Sequence, residues 1–364
     1  MLKLNRSKLR PVTILQFAQK LIQWYSENKR DFKWRSTRDP YRIWLSEIIL
    51  QQTRAAQGLP YYERFIETFP DIHALANAPE DAVLKLWQGL GYYSRARNLH
   101  ATALYISRQC EGQFPESFED LLQLKGVGDY TASAIASICF NQPQAVVDGN
   151  VFRFLARYFG METPIDTTSA HNVFKGKATD LMDLSKPGLF NQAMMEFGAL
   201  QCTPKAPRCS SCPFQTNCIA HSLNKQLQFP VKNKKTKVIN RYFNYLVLVD
   251  RDENICIQQR DTKGIWQKLY EFPLLETDAD INSATALFKL SQGQIKLNAD
   301  PKKVVKWTAK PILHKLSHQN IRIQFWVFPK GEVFLPTVPL KILKQYAVPV
   351  VIQNFIEDYF NLNG

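Results

Sequence analysis

The sequence predicts a multidomain protein, in which an all-α N-terminal domain ends in a cysteine-rich loop and an α+β domain follows. Three observations support this prediction. The length of 364 residues exceeds that of one ordinary domain. Apolar residues recur at helical spacing in the first part of the chain, whereas strand-like segments begin after residue 241. Four closely spaced cysteines lie between the two regions.

The composition is that of a folded, basic protein. Apolar residues make up 45% of the chain, and the formal net charge is +14. This charge favours a polyanionic partner, either nucleic acid or an anionic membrane surface. No apolar run is long enough to cross a bilayer, and the N-terminus lacks a secretion signal, so we expect an intracellular protein. The basic residues 1–10 are interpreted either as a flexible arm or as a targeting segment.

The first helix is predicted over Ile14 to Asn28 from its apolar face. The stretch from Arg30 to Arg38 then mixes basic residues with Phe32 and Trp34. Such interleaving is typical of loops that handle bases and phosphates, but the aromatic rings could equally fill the core. Both interpretations stay open at this point.

Asp39 and Pro40 predict the start of a second helix, over Tyr41 to Thr53. Glu47 stands among apolar residues of that helix. Burial disfavours a charged carboxylate, so we expect the pKa of Glu47 to rise towards neutrality, where the group can donate a proton. The alternative is an exposed residue beside an apolar stripe.

A helical hairpin is predicted between residues 117 and 150. Two apolar-periodic segments, Phe118 to Leu124 and Thr131 to Phe140, flank a tight turn of sequence KGVGDY. Gly126 and Gly128 permit positive φ and let an anion approach the amides of a helix N-terminus, to which Lys125 adds charge. The turn therefore suits a phosphate.

Asp148 stands where an N-cap is expected for a helix over Val151 to Phe159. The amides at a helix N-terminus stabilise an anion, so we expect Asp148 to stay ionised. Two carboxylates whose pKa values are driven apart suggest an acid and an electrostatic partner. A plain capping role for Asp148 is the alternative.

Four of the seven cysteines form a C-x6-C-x2-C-x5-C run, namely Cys202, Cys209, Cys212 and Cys218. In an intracellular chain such a run binds metal more often than it forms disulfides. Four thiolates suit either one zinc ion or an iron–sulfur cluster. The other three cysteines are interpreted as core residues: Cys110, Cys139 and Cys256.

After a basic linker the pattern changes to that of an α+β domain. Strands are predicted at Tyr242 to Val249, Ile255 to Gln258, Val304 to Trp307 and Ile321 to Phe328. Helices are predicted at Asp280 to Leu290 and near Lys344 to Tyr359.

The glycine turn followed by VVDGNV resembles the helix-hairpin-helix DNA glycosylases of the endonuclease III type. Within that group, four further segments resemble the adenine DNA glycosylases in order: WR at 34–35, SEI at 46–48, LQQT at 50–53 and GLGYYSR at 89–95. The resemblance implies a catalytic domain over residues 1–222, a linker at 223–240 and a Nudix-like domain over 241–364. It also favours one [4Fe-4S] cluster on the four cysteines at 202–218.

The family resemblance implies a base-excision-repair enzyme that hydrolyses the N-glycosidic bond of adenine opposite 8-oxoguanine or guanine in duplex DNA. Glu47 is similar to the general acid for the departing adenine, and Asp148 to the carboxylate that stabilises an oxocarbenium-like sugar. Asn150 and Tyr130 match residues that orient Asp148 and the attacking water. Tyr130 also stands where bifunctional relatives carry a Schiff-base lysine, so we expect no strand cleavage.

The resemblance also implies a set of DNA contacts. Gln52 and Tyr92 resemble residues inserted into the duplex where the adenine leaves, and Thr53 belongs to the same motif as Gln52. In the family, the pocket for the extruded adenine is lined by residues that match four positions here: Arg30, Trp34, Arg35 and Gln192. Glu196 is interpreted as an ordinary helix residue. Lys125, Gly126 and Gly128 would grip phosphate. Ser317 and His318 match a loop that reads 8-oxoguanine.

Two other functions remain open. One is a bifunctional endonuclease III-type glycosylase and lyase, against which Tyr130 and the C-terminal domain argue. The other is a non-catalytic DNA-damage-binding module, against which the presence of both Glu47 and Asp148 argues. Pyrophosphate hydrolysis is not expected, because no R-E-x-x-E-E cluster follows Glu271. We expect a monomer in the bacterial cytoplasm, at the nucleoid, with no membrane partner.

Overall fold

The computed structural model describes residues 14–233, 238–291 and 299–360. These residues form two compact units. The first contains the described residues up to Asn77 and those from Asn98 to 233; the second contains Ala78–Arg97 and the described residues from 238 onward. A short segment from within the helical part of the chain, Ala78–Arg97, therefore folds with the C-terminal part. The interpretation of residues 1–10, and that of linker residues 234–237, fall outside the described residues.

The helices follow the order of the chain. They are α1 (Ile14–Asn28), α2 (Pro40–Leu50), α3 (Ala55–Thr68), α4 (Ile72–Asn77), α5 (Glu80–Trp87), α6 (Ser94–Gln109), α7 (Phe118–Leu121), α8 (Asp129–Phe140), α9 (Gly149–Phe159), α10 (Ala170–Asp180), α11 (Pro187–Leu200), α12 (Ile219–Ser222), α13 (Ala284–Ser291) and α14 (Val350–Tyr359). No helix among the described residues is long and apolar enough to cross a membrane.

The helix starts predicted at Ile14, at Asp39 with Pro40 and at Phe118 are confirmed, whereas the helix predicted from Asp280 begins only at Ala284 and two predicted ends are too long. The Asp39 side chain accepts a hydrogen bond from the Tyr41 amide, so α2 begins as expected. It ends at Leu50 instead of Thr53, because Gln51 leaves the helical conformation and Gln52 has φ +55°. The helix α7 stops at Leu121, where hydrogen bonds between residues three apart tighten the chain into the hairpin turn.

The core of the first unit lies where α1, α9 and α11 pack together. Phe154 of α9 and Phe197 of α11 have ring centroids 4.4 Å apart. Phe214, which lies in the cysteine loop, enters the same core, with its ring 4.8 Å from that of Phe17 and 5.2 Å from that of Phe197. The loop is therefore anchored by apolar packing as well as by its cysteines.

The second unit is built on a mixed sheet. Its strands are β1 (Ile239–Val247), β2 (Asn254–Cys256), β3 (Gln258–Gln259), β4 (Tyr270–Glu271), β5 (Leu274–Thr277), β6 (Val305–Lys306), β7 (Ile312–Lys315), β8 (Gln319–Val327) and β9 (Thr337–Pro339). The main sheet has the order β5-β1-β8-β6, with β7 also pairing with β8, and β1 runs parallel to β8. Two small sheets join β2 to β9 and β3 to β4.

A helix packs on this sheet near the C-terminal end of the described chain. The rings of Phe355 in α14 and Phe325 in β8 are stacked at 4.2 Å and 9°. The predicted helix over Lys344 to Tyr359 is in fact a 3-10 turn, Leu340–Gln345, followed by α14, because Pro349 stands at the start of α14. The α+β fold predicted for this part of the chain is confirmed.

Candidate active site

One cavity of about 610 Å³ in the first unit brings together most of the predicted site residues. Its walls come from α2, α8, α9, α11 and the segment between α1 and α2. The predicted residues that line it are Arg30, Trp34, Arg35, Glu47, Gln52, Thr53, Tyr130, Asp148, Asn150 and Gln192. Residues far apart in sequence thus converge on one space of the size that ligand pockets have.

Glu47 is the buried acid of this cavity, with 7% of its surface exposed. Its pKa is raised to about 7, chiefly by burial; the Tyr130 hydroxyl opposes the shift, the negative charge of Asp148 adds to it, and Arg35 also opposes it. Among the described residues, no group forms a hydrogen bond with its Oε2 atom. The expectation of a raised pKa is confirmed, and one carboxyl oxygen is left to meet a ligand.

Asp148 caps α9 as predicted. Its Oδ1 atom accepts hydrogen bonds from the amides of Asn150, at 2.9 Å, and Val151, at 2.8 Å. The expectation that these bonds keep its pKa low is wrong: burial raises the pKa above its usual value, and the hydrogen bonds and Arg153 offset only part of that effect. Both carboxyl groups are therefore shifted in the same direction.

A chain of polar contacts holds Asp148 from behind. The side-chain amide of Asn150 donates to Asp148 Oδ2 at 2.7 Å, and the Arg153 guanidinium donates to Asn150 Oδ1 at 2.8 Å. The guanidinium of Arg153 also donates to the carbonyl oxygens of Gly198, at 2.6 Å, and Cys202, at 2.8 Å. Sequence reasoning missed Arg153, although it lies one helical turn after Asn150 on the same face of α9.

Tyr130 lines the same cavity. Its hydroxyl is 3.3 Å from Met195 Sδ. Burial raises its pKa well above the usual value, and the negative charges of Glu47 and Asp148 add to this. Tyr130 is therefore a neutral hydrogen-bonding group at physiological pH.

Glu196 is not an ordinary helix residue, which corrects the sequence interpretation. It is 1% exposed and forms hydrogen bonds with both Arg30 and Arg35, the shortest at 2.7 Å. Burial alone would raise its pKa, but the hydrogen bonds from the two arginines outweigh burial and lower the pKa to about 2. Glu196 lines the cavity as a permanent anion, one helical turn after Gln192.

The basic and aromatic stretch before α2 forms one wall of the cavity. Phe32 and Trp34 are buried and stacked, with ring centroids 4.7 Å apart. The guanidinium groups of Arg30 and Arg35 lie 5.1 and 5.0 Å from the Phe32 ring. Both open interpretations hold in part, because the rings are buried and also support the charged lining.

The hairpin turn confirms one glycine argument and corrects the other. Gly126 has φ +81°, and a Cβ there would lie 2.7 Å from the Asn98 Cβ. Gly128 has φ −99°, which any residue adopts, and is the N-cap of α8. The space beside Gly128 is nevertheless open, so a ligand can approach its backbone. Lys125 is exposed next to this turn.

Tyr92, Ser317 and His318 line a different cavity, of about 580 Å³, in the second unit. Ser317 and His318 form the turn between β7 and β8, where the Leu316 amide donates to the Gln319 carbonyl. The Tyr92 hydroxyl, on a side chain that is 46% exposed, is 3.4 Å from Ser317 Oγ. These three residues, predicted separately, form one surface.

The cysteine run lines a third, small cavity. It is bordered by Cys202, Cys209, Cys212 and Cys218 together with Arg157, whose Nη1 atom is 3.5 Å from Cys202 Sγ. Within the parts of the chain that the structure describes, no three His, Cys, Asp or Glu side chains are placed to hold a single metal ion. Of the other cysteines, Cys256 is buried as predicted, whereas Cys110 and Cys139 are only half-buried.

Two family models match the chain. Residues 45–176 match the HhH-GPD superfamily base excision DNA repair protein, and residues 244–358 match the NUDIX domain. The first match contains Glu47, Tyr130 and Asp148.

Curated relatives match over differing shares of the chain. An adenine DNA glycosylase of Buchnera aphidicola subsp. Acyrthosiphon pisum is 33% identical over 308 residues, which cover 84% of this chain and 85% of the relative. The human adenine DNA glycosylase is 42% identical over 224 residues, or 59% of this chain and 41% of the relative.

Solved structures share the fold of the helical part. A thermostable thymine-DNA glycosylase has a TM-score of 0.54 and 29% identity, covering 58% of this chain and 97% of that structure. A non-covalent endonuclease III–DNA complex has a TM-score of 0.51 and 20% identity, covering 59% and 99%. The second likeness concerns the fold alone.

Proposed function

This chain belongs to the adenine DNA glycosylase family, whose members hydrolyse N-glycosyl bonds in base excision repair, and on that premise we propose that its 610 Å³ cavity receives an adenine flipped out of duplex DNA. The observation that carries the proposal is the pairing of Glu47 with Asp148. The pKa of Glu47 is raised to about 7, so its proton-donating form is well populated near neutral pH, and its Oε2 atom has no hydrogen-bond partner among the described residues. Asp148 is held by the backbone amides of Asn150 and Val151 and by the Asn150 side chain.

The two carboxyl groups divide the chemistry between them. Glu47 donates its proton to a ring nitrogen of adenine while the C1′–N9 bond breaks, so the bonding electron pair leaves with the base. The sugar acquires positive charge, which the Asp148 carboxylate stabilises. Water then adds to C1′ and passes its proton to the Glu47 carboxylate, which leaves an abasic sugar and restores the acid. Asn150 and Arg153 keep the Asp148 carboxylate aimed at that charge.

The lining of the cavity supports recognition of a base. The stacked Phe32 and Trp34 support the arginines that keep Glu196 ionised. Both oxygens of Glu196 already accept hydrogen bonds from Arg30 and Arg35, so Glu196 fixes those guanidinium groups in the wall of the cavity. Adenine presents an exocyclic amino group beside ring acceptors, and the side-chain amide of Gln192, which can both donate and accept, offers it a complementary partner.

A second surface suits the strand opposite the adenine. Ser317 and His318 offer exposed hydrogen-bonding groups next to Tyr92, and we assign to them the reading of 8-oxoguanine in preference to guanine. The hairpin at Lys125, Gly126 and Gly128 would hold a phosphate. Gln52 and Tyr92 would enter the duplex where the adenine leaves the stack, and Thr53, in the same motif as Gln52, would contact the DNA beside it. The net charge of +14 provides salt-dependent attraction to duplex DNA.

The proposed organisation follows the sequence domains, except that Ala78–Arg97, within the range of the catalytic domain, packs with the C-terminal unit. The catalytic domain would cover residues 1–222, the linker 223–240 and the Nudix-like domain 241–364. We further infer that the protein works as a monomer in the bacterial cytoplasm, where its DNA substrate lies.

Excision without strand cleavage is the expected result with end-labelled duplex containing one adenine opposite 8-oxoguanine or guanine. Tyr130 has no amine to form a Schiff base, so strand breaks should appear only after alkali treatment. Breaks without alkali would indicate the bifunctional lyase instead. Tight binding with no product in either condition would indicate a non-catalytic damage-binding module.

We propose that the cysteine-lined cavity holds a [4Fe-4S] cluster, as the family resemblance of the C-x6-C-x2-C-x5-C run implies. The four thiols border one space, and four thiolates are the ligand set that such a cluster uses. Cys202, Cys209, Cys212 and Cys218 would hold it, while Arg157 donates towards Cys202. The cluster would stabilise the folded loop, and the proposed reaction at the glycosidic bond does not use it.

The purified protein should contain about four iron and four sulfide atoms per chain. Replacing Cys209 with serine should reduce both and lower the melting temperature, as seen by metal analysis and thermal unfolding. Cys256→Ser, at a buried cysteine outside the run, should leave the iron content unchanged. One zinc ion per chain and no iron would contradict the cluster.

A further inference from the structure

The loop that carries Tyr92 is held from both sides by the C-terminal part of its own compact unit. Before the loop, Lys85 of α5 donates to the Tyr346 carbonyl at 3.1 Å, and the Gln88 amide donates to Gln353 at 2.6 Å. After the loop, Arg97 of α6 donates to the Gln267 carbonyl at 2.7 Å. The loop thus lies between two anchors.

The Arg97 anchor ends on a rigid segment. Trp266 and Lys268, the neighbours of Gln267, have φ +58° and +67°, a conformation that L-residues adopt only when surrounding contacts impose it. The Lys268 amide donates to the Arg260 carbonyl at 2.7 Å, and the Arg260 amide donates to the Leu269 carbonyl at 2.8 Å. The Gln267 carbonyl is therefore presented from a fixed position.

The loop itself is equally constrained. Tyr92 has φ +47°, and its carbonyl accepts a hydrogen bond from the Arg95 amide at 2.9 Å. The Arg95 guanidinium donates to the Gly91 carbonyl at 3.1 Å and lies 5.7 Å from the Tyr92 ring. A displacement of α6 at Arg97 would be passed to Tyr92 through this short rigid connection.

We propose that Arg97 is a positioning residue through which the C-terminal domain holds Tyr92 ready for insertion into the duplex. The domain then contributes to extrusion of the adenine, in addition to reading the opposite base. This inference rests on the insertion role assigned to Tyr92 under the proposed function. It concerns Arg97, which has no assigned part in catalysis or in base recognition.

The test compares Arg97→Ala with the unaltered full-length protein on three duplexes, with adenine opposite 8-oxoguanine, guanine or an abasic-site analogue. A 2-aminopurine next to the adenine reports unstacking by fluorescence, and quenched samples report single-turnover excision. Loss of a hydrogen bond from a charged group should slow both signals roughly tenfold on the two paired substrates, by the same factor on each. The defect should shrink to about twofold opposite the abasic site, where extrusion costs less.

Two outcomes would overturn the role of Arg97. An equal loss on all three duplexes would show general damage to the fold, and a loss confined to 8-oxoguanine would show a role in reading that base. The matched control is Gln267→Ala, which keeps the carbonyl that Arg97 bonds and loses only two side-chain contacts, with Arg97 at 3.3 Å and with the Asp261 carbonyl at 3.5 Å, so it should behave like the unaltered protein.

The Tyr92→Ala variant separates the positioning role of Arg97 from the insertion role of Tyr92, on which it rests. If Tyr92→Ala unstacks and excises at the normal rate, the insertion role of Tyr92 itself fails. If Tyr92→Ala is slow while Arg97→Ala is not, only the role of Arg97 fails. Melting temperatures of all the variants identify any that are not folded.

Discussion

Glu47→Gln should reduce single-turnover excision of adenine at pH 7 by at least about a hundredfold, because glutamine cannot donate the proton that the departing base needs. The substitution retains the size and the neutrality that Glu47 has when protonated. The fold should therefore survive, and duplex binding should stay close to that of the unaltered protein. Quenched-flow measurement of base release, with binding measured on the same duplex, checks both expectations.

The pH dependence of excision shows which group donates the proton to the departing base. Burial raises the pKa of Glu47 to about 7, so the proton-donating form is present below that pH and disappears above it. The excision rate of the unaltered protein should fall as the pH rises through about 7. Glu47→Gln should lack this alkaline decline, and a variant that kept it would assign the acid to another group.

Asp148→Asn should also remove excision, by roughly a hundred- to a thousandfold, because a neutral amide cannot stabilise the positive charge of the sugar. Asparagine is as good an N-cap as aspartate, so α9 should keep its start. Single-turnover excision and circular dichroism distinguish loss of charge from loss of structure.

A second N-cap provides the matched control. Asp39 caps α2 in the same manner but does not line the cavity, so Asp39→Asn should excise adenine normally. Equal losses in the two variants would make Asp148 a structural cap only. Since the pKa of Asp148 is raised, the unaltered protein should also lose activity on acidification, when the carboxylate is protonated.

Local patterns were sufficient where the determinant is local. Asp39 with Pro40 and Asp148 with its following helix mark helix starts by side-chain capping, and both are confirmed. Glu47 was identifiable because its neighbours in sequence are also its neighbours in α2. The approximate strand positions followed from β-branched and aromatic runs in the same way.

Contacts between distant segments were not predictable in this way. The sequence around Glu196 in α11 has no feature that marks a special role, and only the approach of Arg30 and Arg35 from another segment makes it a buried anion. The pKa of Asp148 depends on how deeply the surrounding elements bury it, which outweighs the capping bonds. The folding of Ala78–Arg97 with the C-terminal part likewise depends on tertiary contacts that no periodicity reveals.

The packing of Phe214 bears on how the protein unfolds. Its ring shares the aromatic core formed by Phe17, Phe154 and Phe197, so the cysteine loop cannot detach without opening that core to water. Exposure of such a core is the step that defines global unfolding of a domain. The loop and the helices beneath it therefore unfold as one cooperative unit. Since α9 contributes Phe154 to the shared core and begins at Asp148, damage at the cysteines also destabilises the helix start at Asp148.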